Sequence, residues 1–367
     1  MPVKDEAERI AACLRALCLQ ESVQASGIVL AVNNTTDGTA GIVRSLLPFL
    51  PVPVQVVEHW FPPEQASAGS ARRLAMEHAA AMLGEAVGPG EASALLTTDA
   101  DGRVPPDWIA ANLWHLRAGL DAVAGRAVLD PADAALIPAK LHADDAEECA
   151  YAATLDAVEA LLDPDPWDPE PRHAEHSGAS IAVTLAAYRR AGGMPAAPLA
   201  EDRRFFAALR ATDARIRHAP EVSVVVSGRL VGRAEGGMAD TIRRRLSGPD
   251  PYIDGALEPA ALHARRATLR RLFRRVHAWA PGHDGQRGAL LGALARGLRL
   301  PAAACERACA ETFCGTGWSL LEAASPALAR RQVALAALPA QMAEAERLRR
   351  ALRARPLSQG CLAGLDA

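Results

Sequence analysis

The sequence predicts an α/β fold built on a mostly parallel sheet over roughly its first two thirds. Three observations carry this expectation. Helical and strand-like patterns alternate from residue 6 onward, the strand-like runs are apolar, and they run out into turn residues or carboxylates. Alternation of this kind favours parallel strands covered by helices on both faces. At 367 residues and 50% hydrophobic content the chain is long enough to bury a substantial core.

The elements follow in order. Residues 6–20 set Ile10, Cys13, Leu14 and Leu17 at helical spacing, and GIVLAV (27–32) forms an apolar strand that closes in NNTTDGT. Thr36 or Asp37 stands where it can cap the next helix, TAGIVRSLL. A strand at VPVQVVEHW, a helix through SARRLAMEHAAAML and a strand at ALLTTD come next, with further strands at DAVAGRAVL, GASIAVT and EVSVVVSG. A helix from about Asp144 to Leu162 leads into DPDPWDPEPRHAEHSG. A connection that long reads as a lid or an acceptor loop. A solvated loop accounts for its His173 and His176; the alternative, for them and for His218, is a third metal ligand.

From about residue 236 the strand patterns stop, and helices rich in Ala, Leu and Arg follow. The expected division is 1–245 for the α/β domain and 250–367 for a helical C-terminal region. In RRATLRRLFRRVHAW, Leu269, Leu272, Phe273 and Val276 share one face, which suits a packed helix or a membrane-surface helix. The start is irregular. Only MPV precedes the acidic helix start KDEAER, so a first strand is expected to be missing or shortened, through a start site assigned too far downstream or a rearranged sheet.

A formal net charge of -3 gives no basic footprint for nucleic acid. Lys4 and Lys140 are the only lysines, an arginine bias that reads as a GC-rich bacterial background. The seven cysteines, Cys13, Cys18, Cys149, Cys305, Cys309, Cys314 and Cys361, show no CxxC pair, which suits reduced thiols in a cytoplasm. A charged N-terminus and the lack of any run near the ~20 apolar residues of a bilayer span fit a soluble protein.

Chemistry concentrates at Asp99 and Asp101 in LLTTDADGRVPPDW. A calcium loop starting at Asp99 would want Gly and Glu where Val104 and Ala110 stand, and an aspartyl phosphatase would want Thr where Arg103 stands. A turn at Asp101-Gly102, with Asp99 capping the helix near Pro106, explains one carboxylate but not both. At the C-terminal ends of parallel strands, two carboxylates can hold a divalent cation that neutralises a diphosphate. Further on, Glu201-Asp202 opens a helix after a Gly-Gly-Met-Pro turn. Carboxylates there either complement the helix dipole or take a proton from an acceptor hydroxyl.

Together PVKDEAERIAACLRAL, VLAVNNTTDGTAGIV, SAGSARRLAMEHA, TTDADGRVPPDWI and GASIAVTLAAYRRAGGMP with AEDRRF resemble an inverting family-2 glycosyltransferase of the GT-A fold, over about residues 1–245. The resemblance implies Asp101 as principal metal ligand, Asp99 on the metal or the ribose, and Mg²⁺ or Mn²⁺ as cofactor. It implies Asp202 as general base, with Glu201 orienting the acceptor or the base. Nucleotide contacts fall on Val3, Asp5, Glu6, Asn33, Asn34 and Asp37, with Arg72, Arg229 and Arg233 reaching the diphosphate or bracing the metal motif. The implied partners are a nucleotide-sugar donor and an acceptor that is a lipid, a saccharide or a small molecule, with peripheral membrane contact through the C-terminal helices left open. Asp5 and Arg73 stand where the family usually has Asn, and Asn33-Asn34 where an Asp commonly reads the base, which leaves the base open. The absence of a Gln-x-x-Arg-Trp motif argues against a processive synthase. A nucleotidyltransferase and a non-catalytic nucleotide-sugar-binding protein are the rival readings.

Overall fold

The structure, a computed structural model, describes residues 1–86, 93–233, 236–279 and 284–354. It divides into two compact units: Met1–Pro138 with Pro171–Arg210 and Ala214–Ser247, and Ala139–Glu170 with Ala211–Asp213 and the chain from Gly248.

The first unit is the α/β body. Its strands are β1 (Pro2–Val3), β2 (Ile28–Asn33), β3 (Val54–His59), β4 (Ala94–Thr97), β5 (Ala122–Leu129), β6 (Ile181–Thr184) and β7 (Ile216–Val226). Helices α1 (Ile10–Cys18), α2 (Thr39–Leu46), α3 (Ala68–Ala86), α4 (Trp108–Arg117), α5 (Pro131–Ala134), α7 (Leu185–Arg190), α8 (Glu201–Ala211) and α9 (Met238–Ser247) accompany them. β1, β2 and β3 form a parallel sheet, and β4, β6, β5 and β7 a second sheet in which β6 runs antiparallel to β4 and β5 while β5 and β7 are parallel. All six residues of β2 are buried, as expected of a parallel strand covered on both faces. One core cluster joins Ile10, Leu14 and Leu30 with Trp108 and Val224; another joins Met76, Ile181, Phe205 and Phe206.

The first strand is present and short: Pro2 pairs with Ala31 and Val3 with Val32, and the Met1 carbonyl accepts from the Ala31 amide at 3.0 Å. Asp99 is not a helix cap, because α4 begins at Trp108, nine residues later, behind Asp107.

The second unit is helical: α6 (Ala139–Leu162), α10 (Ala260–His277), α11 (Asp284–Leu298), α12 (Ala302–Cys309), α13 (Cys314–Ala324) and α14 (Leu338–Ala354). Helix α6 lies within the span expected for the α/β domain but packs here, its Tyr151 and Leu155 clustering with Ile253, Ala260, Val333 and Leu338. Asp163, wholly buried, receives Arg270 at 2.6 Å and also pairs with Arg274. Leu269, Leu272, Phe273 and Val276 are each at most 3% exposed, so the apolar face of α10 is interior and not a membrane-facing surface. Among the described residues no helix is long and apolar enough to cross a membrane, and the six described cysteines are free; Cys361 lies outside them.

Candidate active site

The turn after β4 is fixed at both ends. The Gly102 amide donates to the Asp99 carbonyl at 3.0 Å, and Arg103 exchanges backbone bonds with Val225 of β7 at 2.8 and 3.1 Å. A Cβ at Gly102 would come within 3.2 Å of Thr98 Oγ1 and Val224, so glycine keeps this turn tight. Asp99 and Asp101 therefore leave the strand end held by backbone, as a site for chemistry requires.

Arg72 of α3 joins this turn to the start of α8. The side chain is 3% exposed; Nη2 donates to Asp99 Oδ1 at 2.6 Å and Nε to Glu201 Oε1 at 3.0 Å. Nη1 donates to Thr97 Oγ1 at 3.0 Å and to the Gly178 carbonyl at 2.7 Å. Burial alone would depress this guanidinium, but Asp99 and then Glu201 reverse the effect and hold its pKa above the ordinary value. Two glycines make room for it. A Cβ at Gly178 would fall 2.4 Å from Arg72 Nη2, and one at Gly69 would fall 2.2 Å from the Ala197 carbonyl and 3.0 Å from Glu201 Cβ. Of the two expected roles for Arg72, the observed contacts are those of a brace.

Arg229 plays a matching part beside Asp101. Its Nη1 donates to Glu6 Oε2 at 2.7 Å, Nη2 pairs with Glu6 Oε1, and Nη2 lies 3.3 Å from Asp101 Oδ2. Arg233 Nε donates to the Asp5 carbonyl at 2.8 Å. Burial and the charge of Asp99 push the Asp101 carboxyl up from 3.8 to about 6, against the pull of Arg229.

Asp202 lies one residue into α8. Its Oδ2 accepts from the Gly178 amide at 3.0 Å and its Oδ1 from the Arg203 amide at 2.7 Å. Ala200, just before the helix, is left-handed at φ 54°, a conformation that costs an ordinary side chain about 1 kcal/mol or more. Asp5 (φ 51°) and Asn34 (φ 46°) share that region of backbone space.

The expected nucleotide contacts divide. Val3 is buried in β1 beside Val32, and Asn33 is buried at the end of β2. The Asn34 carboxamide closes on the backbone of Phe61, donating at 2.8 Å and accepting at 3.0 Å. Asp5 Oδ1 accepts from the amides of Thr36 (2.7 Å) and Asp37 (3.2 Å), while Asp37 Oδ2 accepts from the Ala7 amide at 3.1 Å. These two carboxylates staple the loops after β1 and β2 to each other. Asp37 Oδ1 also takes the Thr39 amide at 2.9 Å, so it does serve the start of α2.

His173, His176 and His218 gather against one another, with Arg210 beside His176 and His218. His176 Nε2 is 3.1 Å from His218 Nε2 and 2.8 Å from Arg210 Nη2. Burial, then Arg210 and His218, drive the His176 pKa down to about 2. Among the described residues no three His, Cys, Asp or Glu side chains stand where they could hold a metal, so none of these histidines joins Asp99 and Asp101 as a third ligand. Glu6, Thr97, Gly69 and Gly178 carry the bracing geometry. The signal open to a sequence reader was the pair of glycines flanked by serine, in AGSARR and SGAS. Beside Leu199, two residues before Glu201, a cleft of about 870 Å³ opens between Ser67, Glu64, Asp240 and Arg243.

The residues present fit a hard divalent cation. Two carboxylates leave one strand end, and the contacts above leave Asp99 Oδ2 and Asp101 Oδ1 outside the arginine pairs. Among the described residues, the ion pairs of Glu6, Asp99, Asp101 and Glu201 are with Arg72 and Arg229, four carboxylates against two guanidiniums. A dication would relieve that excess.

Paired aspartates follow the end of β4, whose antiparallel partner β6 leads toward a Glu-Asp helix start, and together with the parallel β1–β2–β3 sheet this is an α/β fold of the GT-A type. Residues 1–142 match the family model described as Glycosyl transferase family 2. A search of curated protein sequences found no match. Among solved structures, the chain is similar to mannosyltransferase PcManGT from Pyrobaculum calidifontis in complex with GDP-Man and Mn²⁺, at 17% identity and TM-score 0.42, covering 96% of this chain and 83% of that one. It is also similar to S. aureus TarS 1–349 in complex with UDP-GlcNAc, at 14% identity and TM-score 0.46, covering 96% of this chain and 90% of that one. Overlaps this loose carry no argument about substrate or mechanism.

Proposed function

We propose that the protein transfers a sugar from a nucleotide-diphosphate sugar to an acceptor hydroxyl with inversion, using Mg²⁺ or Mn²⁺ held by Asp99 and Asp101. The observation that carries this reading is Arg72, which ties Asp99 to Glu201 across 102 residues of sequence and so brings the metal motif and the base motif to one guanidinium. When bound, the cation neutralises charge on the departing nucleoside diphosphate. The chain's own residues do the rest. Asp202, oriented by the Gly178 amide, takes the acceptor proton, and the cleft beside Leu199 admits the acceptor to it. Arg229 and Glu6 hold Asp101 in place, and the Asp5 and Asp37 staple shapes the loops against which the nucleotide lies.

Two experiments test this. Asp202→Asn keeps the shape and removes the base, so sugar transfer or donor hydrolysis is expected to fall by 10²-fold or more, on the order expected for acid–base catalysis, while donor-induced thermal stabilisation is retained. Unchanged turnover would remove Asp202 from the mechanism. UDP-, GDP- and TDP-sugars are screened for thermal stabilisation with and without Mn²⁺ or Mg²⁺, and stabilisation indifferent to the cation would count against Asp99 and Asp101 as its ligands.

A further inference from the structure

We infer that Glu201 belongs electrostatically to the cation site: acting through Arg72 on Asp99, it raises the affinity of the Asp99/Asp101 pair for a divalent cation without ligating it. The inference rests on reading Asp99 and Asp101 as the cation carboxylates. Glu201 itself does not complete a metal-holding set with them. Its carboxylate contacts the same buried guanidinium as Asp99, through Nε where Asp99 uses Nη2, at 3.0 and 2.6 Å. A cation drawn to Asp99 therefore meets a fixed positive charge directly behind that carboxylate. Only a second negative charge on the guanidinium offsets the repulsion, and Glu201, 8% exposed, supplies it where solvent screens little. Gly69 and Gly178 make the arrangement compact, since a side chain at either would push Glu201 or Arg72 aside. The first carboxylate of the Glu-Asp pair thereby serves the donor side, and Asp202 serves the acceptor.

The test is Mn²⁺ binding to the full chain without substrate, followed by the electron paramagnetic resonance signal of free Mn²⁺. Glu201→Gln preserves shape and an oxygen for Arg72 Nε, and is expected to weaken Mn²⁺ binding by about fivefold or more, the scale of coupling between linked sites. Glu77→Gln, which removes an exposed carboxylate paired with Arg73, is expected to leave it unchanged. In an Arg72→Lys background, where the shared fork is gone, the Glu201→Gln effect is expected to shrink to less than about twofold, as a double-mutant cycle requires of a relayed effect. Equal Mn²⁺ affinity in wild type and Glu201→Gln overturns the inference and leaves the cation reading standing; so does an equal loss in both backgrounds. A wild-type protein that binds no Mn²⁺, or binds it as well after Asp101→Asn, overturns both. Should Arg72→Lys not fold, Glu201→Asp takes its place: it keeps the charge, and an affinity no better than that of Glu201→Gln sinks the mechanism.

Discussion

Asp101 gives the site a pH signature of its own. Its carboxyl is raised from 3.8 to about 6, so the folded protein binds more protons than the unfolded chain between those values. Stability from this group is therefore greatest at low pH and is lost as pH rises through about 6, by on the order of 2 kcal/mol. Asp101→Asn is expected to flatten that slope and to raise the melting temperature of the cation-free protein at pH 7 to 8. Urea titrations at several pH values check it, and an unchanged slope would mean that Asp99 and burial do not act on Asp101 as described. Arg72→Ala should cost about 3–5 kcal/mol in the same measurement, because it strands Glu201 and part of Asp99 without their counter-charge. Sequence made Asp99, Asp101, Glu201 and Asp202 legible as candidates, since Asp-x-Asp after an apolar run and Glu-Asp at a helix start are short, local patterns. It left Arg72 ambiguous between diphosphate ligand and brace. In an arginine-rich chain a single Arg carries little signal, and its four acceptors come from three separate segments.

The glycines separate helices that tolerate change from those that do not. Gly41 lies on the exposed side of α2 with nothing within 4 Å of an added Cβ, whereas Gly69 in α3 meets the Ala197 carbonyl at 2.2 Å. Gly41→Ala is expected to stabilise by about 0.5–1 kcal/mol, through helix propensity and a less flexible unfolded chain. Gly69→Ala is expected to destabilise by about 1–3 kcal/mol and to lower activity as the 197–201 segment shifts. Paired thermal melts and turnover assays decide, and similar behaviour of the two variants would refute the close approach. Elements with a long periodic pattern were readable: the apolar face of α10 was expected and is buried. β1 was not, because two residues give no periodicity, and its existence depends on the ladder that β2 offers.

At the scale of the whole molecule, the boundary was half legible. A change in composition near residue 250 marks where the helical region resumes, but nothing local in Ala139–Leu162 says that its partners lie a hundred residues or more downstream. A chain ending at Ser247 would keep every strand yet expose Tyr151, Leu155 and Val158, all at most 3% exposed in the full chain. Such a chain is expected to aggregate and to be cut by protease within 139–162, while the intact protein resists; a soluble, protease-resistant fragment would show that α6 finds cover without the C-terminal helices. The same arrangement sets a timetable. Helix α6 leaves the ribosome well before α10 and α14, and at roughly 5–20 residues per second it waits on the order of ten seconds for them. During that interval its apolar stripe is a sticky nascent surface, and synthesis rate or chaperone supply, rather than final stability, would govern how much protein a cell recovers.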